Sequence, residues 1–156
     1  MRLRELPSPE GARGFFDRET RTGYALPIPG TVAHEAGHGL ESPAWLKDVG
    51  HAPMLIEGAN EYLTQKFGQD TNARFGDRGR VYGEPTKVGA ALDRISGGNL
   101  HQAVHNGRMD ILHDAIGRRM QAAGDPAAAG ARKLAEVAGL MKNRQYDDAL
   151  RELNKL

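Results

Sequence analysis

A mostly helical α+β domain is the fold class that this sequence predicts, on three observations. Residues 14–29, GFFDRETRTGYALPIP, carry two short aromatic or aliphatic runs around a polar turn, a strand pattern. Most of the chain beyond residue 31 repeats apolar residues at i, i+3, i+4 and i+7, a helix pattern. The 156 residues are 39% hydrophobic and 26% charged, which suits one core of ordinary globular composition.

In chain order, residues 1–13 are polar, carry Pro7 and Pro9, and read as a tail or linker. The remainder, 14–156, reads as a single domain. Gly14 to Pro29 reads as a β-hairpin or pair of short strands, ended by Pro27, Pro29 and Gly30. Thr31 is a plausible N-cap for a helix over TVAHEAGHGL. In that helix Ala33, Ala36, Gly37 and Leu40 form a small apolar stripe, with His34 and His38 on another face. Ser42 and Pro43 close it, and residues 43–52 read as a connection in which Trp45 packs into the core. Pro53 fits the first turn of a helix to Phe67, with Ile56, Ala59, Leu63 and Phe67 as its core stripe.

Residues 68–85 are Gly-rich and charged and read as a solvated flap, with Arg74, Arg78 and Arg80 among Phe75, Asp77 and Tyr82. Five helices follow: Thr86–Ser96, Leu100–His105, Asp110–Ala123, Pro126–Lys142 and Tyr146–Leu156. Gly97-Gly98, Gly107 and Gly124-Asp125-Pro126 separate them.

Composition excludes several classes of function. The formal charge of +1 argues against a nucleic-acid wrapper or a polybasic membrane binder. No run approaches 18 apolar residues, so no transmembrane helix is expected. The N-terminus lacks the apolar core of a signal peptide, which leaves the cytoplasm, or export as part of a larger polypeptide. With no Cys there is no thiol nucleophile or thiolate metal site, so a metal would need His and carboxylates.

Those ligands occur together in His34-Glu35-Ala36-Gly37-His38. Two His at i and i+4 project from one helical face, so both can reach one Zn²⁺ at about 2.0–2.1 Å. Glu35 lies too far round the helix to be a ligand. It is placed to accept a proton from a water in the open coordination position. After residues 39–56 comes Glu57 on the next helix, completing a His₂Glu set of the type that leaves one position for water.

H-E-x-x-H followed by 18 residues and Glu resembles the gluzincin clan of zinc metallopeptidases. Leu55–Thr64, LIEGANEYLT, looks like that clan's third-ligand helix. The resemblance covers residues 24–67. A weaker pattern through Tyr82, Val88, Leu92, Ile95, Gly97, Leu100, Ala103, Gly107, Asp110 and Leu112 is similar to small bacterial toxin- or effector-type metallopeptidase domains.

The resemblance implies a zincin-like domain over 14–156, with Zn²⁺ held by His34, His38 and Glu57. Glu35 would then be the general base. Glu61, one turn beyond Glu57, would orient a ligand His. Tyr82 is the first candidate for stabilising the oxyanion, ahead of His105 and His101. The implied partners are a protein or peptide substrate and a cognate inhibitor or immunity protein. The aminopeptidase G-x-M-x-N motif is absent, which favours an endopeptidase.

Two other readings compete. One is a non-catalytic metal-binding interaction module, which would not require Glu35. The other is a helical adaptor with an accidental motif. His101 and His105 are also four apart but lack an adjacent Glu and a third ligand. His51 reads as a loop residue and His113 as an exposed helix residue.

Overall fold

The structure is a computed structural model that describes residues 2–5, 14–25, 29–70 and 83–156. It is a mostly helical α+β chain: strands β1 (Arg2–Glu5), β2 (Gly14–Asp17) and β3 (Thr22–Ala25), then eight helices among the described residues. These are α1 (Pro29–Leu40), α2 (Pro43–Asp48), α3 (Pro53–Asp70), α4 (Gly83–Ile95), α5 (Leu100–Val104), α6 (Met109–Arg119), α7 (Pro126–Lys142) and α8 (Tyr146–Asn154). None of the described helices is long and apolar enough to cross a membrane.

By internal contacts the chain divides into two compact units. The first is 1–40 with 63–81, and the second is 41–62 with 82–156.

In the first unit the sheet order is β1-β3-β2. The expected hairpin forms, with Gly14 opposite Ala25 and Asp17 opposite Thr22. Asp17 sets the turn: its carboxylate accepts from the backbone N–H of Glu19 at 2.9 Å and of Thr20 at 3.2 Å, and from the Thr20 hydroxyl. The Thr20 hydroxyl and these amides hold the Asp17 carboxyl below its usual range. Residues 2–5 depart from the tail expectation, because β1 pairs in parallel with β3 from Arg2–Thr22 to Glu5–Ala25. One apolar residue in four gives a period of two nothing to register. The rest of that segment lies outside the described residues.

Helix α1 packs on β2 and β3. It begins at Pro29, not after a Thr31 cap, since proline at the first helical position loses no hydrogen bond. Arg21 donates from its guanidinium to the Gly39 carbonyl at 3.2 Å, supplying a cation and a donor to the last turn. Among the described residues, Ala25 and Leu63 are the buried hydrophobic side chains of this unit.

The second unit holds the apolar core. Trp45, Leu55, Leu92, Leu100, Leu112, Ile116, Leu134, Met141 and Leu153 are buried in it. The stripes expected on α4 and α7 are buried as read: Val88, Ala91, Leu92 and Ile95, then Leu134, Val137, Ala138 and Met141. The supposed connection 43–52 contains α2 instead. Pro43 starts it, and Ser42 caps it by accepting from the Trp45 N–H at 3.1 Å while donating to the Ala103 carbonyl at 3.2 Å. Helix α4 starts at Gly83, earlier than Thr86, with Pro85 tolerated in its first turn. Helix α6 stops at Arg119, short of Ala123.

Buried Asp93 accepts from the Tyr62 hydroxyl at 2.8 Å and from the Leu100 N–H at 3.1 Å. It therefore supplies the cap that Asn99 does not give α5. His113 is not on an exposed face: its Nε2 lies 3.0 Å from the Asp48 carboxylate.

Helices α6 and α7 meet backbone to backbone. A Cβ at Gly130 would overlap the His113 carbonyl oxygen, and one at Gly117 would overlap the Pro126 carbonyl oxygen. Gly130→Ala is therefore expected to cost about 1–3 kcal/mol from overpacking, despite the better helix propensity of alanine. A lower urea midpoint at unchanged slope would show it. An unchanged midpoint would mean that the two helices sit further apart.

Candidate metal centre

Helix α1 buries a face that counting apolar residues does not find. Its buried side chains include Thr31, His34, Glu35 and His38, which fall at i, i+3, i+4 and i+7. The expected apolar stripe is not the core face. Of its members Gly37 is buried, Ala33 and Ala36 are half-buried and Leu40 is 58% exposed. The helix is thus turned with its polar stripe inward. Burying ionisable side chains is costly unless they are paired or coordinate a cation.

Spacing along α1 places the two imidazoles together. His34 and His38 are one turn apart, their rings 4.8 Å between centroids and nearly perpendicular at 87°. Their Nε2 atoms are 3.2 Å apart. That edge fits two readings. A neutral pair can share it as one N–H donor and one acceptor. Two ligands on one tetrahedral cation at about 2.0–2.1 Å would present an edge of about 3.3–3.4 Å.

The second reading gains from a third donor. His34, His38 and Glu57 each offer one ligand atom, and these atoms all lie within 4.8 Å of one another. Two imidazole nitrogens and a carboxylate oxygen form a donor set able to hold a metal ion. The ligand residues expected from the sequence are therefore brought together. Glu57 is half-buried in the first turns of α3, and Glu61, one turn further, is fully buried.

Glu35 is 5% exposed, so its carboxylate is largely withdrawn from bulk water. Its neighbour across the unit is Gly14 at the start of β2, where a Cβ would come within 2.5 Å of Glu35 Oε1. Sequence reasoning treated Gly14 only as the edge of the hairpin. A glycine opening an aromatic strand run was the available signal.

The remaining candidates fall elsewhere. Tyr82 and the arginine flap lie outside the described residues. His51 is an exposed loop residue with φ +53°. His101 on α5 sits 2.9 Å from the Gln102 amide nitrogen. His105, which ends α5, has a buried Nε2 with no hydrogen-bond partner among the described residues. Burial pushes its imidazole below the ordinary range, against the pull of the Glu41 charge. No third ligand joins these two among the described residues.

Trp45 is fully buried, as expected for core, and Phe67 is 57% exposed, against expectation. A cavity of about 650 Å³ opens on the second unit among Ile95, Asp110, Asp114, Arg118 and Arg119. It contains none of the motif residues, and its charges pair locally, Arg118 with Asp114 and Asp110 with Arg108.

Comparison of the chain with protein-family models, with curated proteins and with solved structures finds no match in any of the three.

Proposed function

We propose that the chain is a zinc-dependent endopeptidase that uses Glu35 as general base. The observation that carries this reading is the gathering of the His34, His38 and Glu57 ligand atoms within 4.8 Å. The buried carboxylate next in sequence to the first ligand adds a group that simple metal binding does not require. Imidazole with carboxylate suits zinc, whereas magnesium and calcium favour oxygen throughout.

Zinc, when bound, brings the pKa of a coordinated water towards about 7 and polarises the scissile carbonyl. Glu35 accepts the proton that the attacking water loses and delivers it to the leaving amine nitrogen, so the carboxylate is regenerated each turnover. Its burial limits competition from bulk solvent for that proton. His34 and His38 serve as neutral imidazoles, which makes retention of the cation weaker in acid. Glu61 is assigned to orient a ligand imidazole, and Tyr82 to donate to the developing oxyanion.

Metal analysis combined with a protease assay tests this. The purified protein is expected to carry about one zinc per chain. It should cleave fluorescently labelled casein, lose that activity to 1,10-phenanthroline and regain it on adding Zn²⁺. A protein free of zinc after growth in zinc-replete medium, or one that cleaves at full rate in the chelator, would overturn the proposal.

A further inference from the structure

We propose that Gly14 is a positioning residue for Glu35: its missing side chain is the space in which the Glu35 carboxylate is held. The inference rests on the reading of Glu35 as general base and extends it to a second element of the same unit, strand β2.

The geometry is specific. A Cβ at position 14 would stand 2.5 Å from Glu35 Oε1 and 2.9 Å from both its Cδ and its Cγ. Because Cδ and Cγ are met as well as Oε1, turning the terminal group relieves the oxygen contact alone. The side chain must leave its rotamer nearer the backbone. Gly14 lies in a β-strand, whose extended backbone any residue adopts, so its conformation does not explain the glycine. Glycine also weakens a strand by its entropy and its lack of a side chain to pack. The space it leaves is the reason that remains.

Strand β2 is poorly able to yield in place of Glu35. Its ladder to β3 fixes Gly14 against Ala25 and Phe15 against Tyr24. Phe15 and Tyr24 also stack on the sheet face opposite Gly14, with centroids 4.6 Å apart and planes 17° apart. The strand is thus pinned from its far side, and the movable partner is the carboxylate. A general base must be held within about 0.5 Å of its working position, so a side chain of even one carbon at residue 14 displaces it from use.

The test has two readouts on purified protein. With labelled casein as substrate, zinc-loaded Gly14→Ala is expected to keep its metal and its KM within about twofold. Its kcat should fall about 10- to 100-fold, the scale of a misplacement near 1 Å. Independently of activity, Gly14→Ala should lower the thermal midpoint by about 2–4 °C in the parent protein. In an Glu35→Ala background the same substitution should leave the midpoint unchanged or raise it, because the obstructing side chain is gone.

Equal midpoint shifts in the two backgrounds would overturn the contact. An unchanged kcat in Gly14→Ala would overturn the positioning role. If the parent protein itself does not hydrolyse casein, the proposed function fails and takes the positioning role with it. The difference between the two backgrounds separates that failure from an error in the geometry.

Discussion

Glu35→Gln is expected to leave zinc content unchanged and to cut the rate of peptide hydrolysis by at least about two orders of magnitude. Glutamine keeps the length and nearly the shape of glutamate. The Gly14 space and the burial of the side chain are therefore preserved. What is lost is a group that can take up a proton. Glu35 does not belong to the ligand set, so the cation should stay. Metal analysis beside a progress curve measures both halves at once. A variant that cleaves at the parent rate would remove Glu35 from the chemistry. A parent protein that holds zinc but cleaves nothing is the interaction-module reading, and cleavage that both a chelator and this substitution block separates the peptidase from it.

Glu57→Ala is expected to weaken zinc binding at least about 100-fold, the upper end of the cost of disturbing outer partners of a metal site. His34 and His38 alone would then offer two nitrogens from one helix, too few for a closed structural or open catalytic zinc site. Glu57 is half-buried in α3, and its truncation removes little apolar packing, so the fold should persist. Competition with a fluorescent zinc chelator gives the affinity, and circular dichroism checks that the helices remain. Equal affinity in parent and variant would exclude Glu57 as the third ligand.

The parts of this molecule that were legible in sequence share one property: a local rule determined them. The i, i+4 spacing of His34 and His38 carries its geometry in the helical pitch, so their convergence could be stated before any coordinates. The stripes of α4 and α7 obey the same rule. Grouping Glu57 with His34 and His38 depends on residues 39–56, helix α2 included, and periodicity within one helix does not fix that distance.

The misses involve partners distant in sequence or signals too short to count. Strand β1 pairs in parallel with β3 across residues 6–21, and four residues carry no period of their own. Helix α2 is six residues long and depends on the Ser42 cap, not on a stripe. The inward face of α1 was invisible for a different reason. Searching for apolar residues chose Ala33, Ala36, Gly37 and Leu40, of which only Gly37 is buried, whereas the fold also buries Thr31, His34, Glu35 and His38. His113 was misplaced because its partner Asp48 lies on another element.

That inward polar face has a consequence for how the first unit is held together. Among the described residues its buried hydrophobic side chains are Ala25 and Leu63, beside the buried polar Thr31, His34, Glu35 and His38 of α1. Burying two imidazoles is costly unless they are paired or bound to a cation, and on the zinc reading the ion would offset that cost. The ion would then stabilise the inward face of that helix as well as serve the proposed reaction.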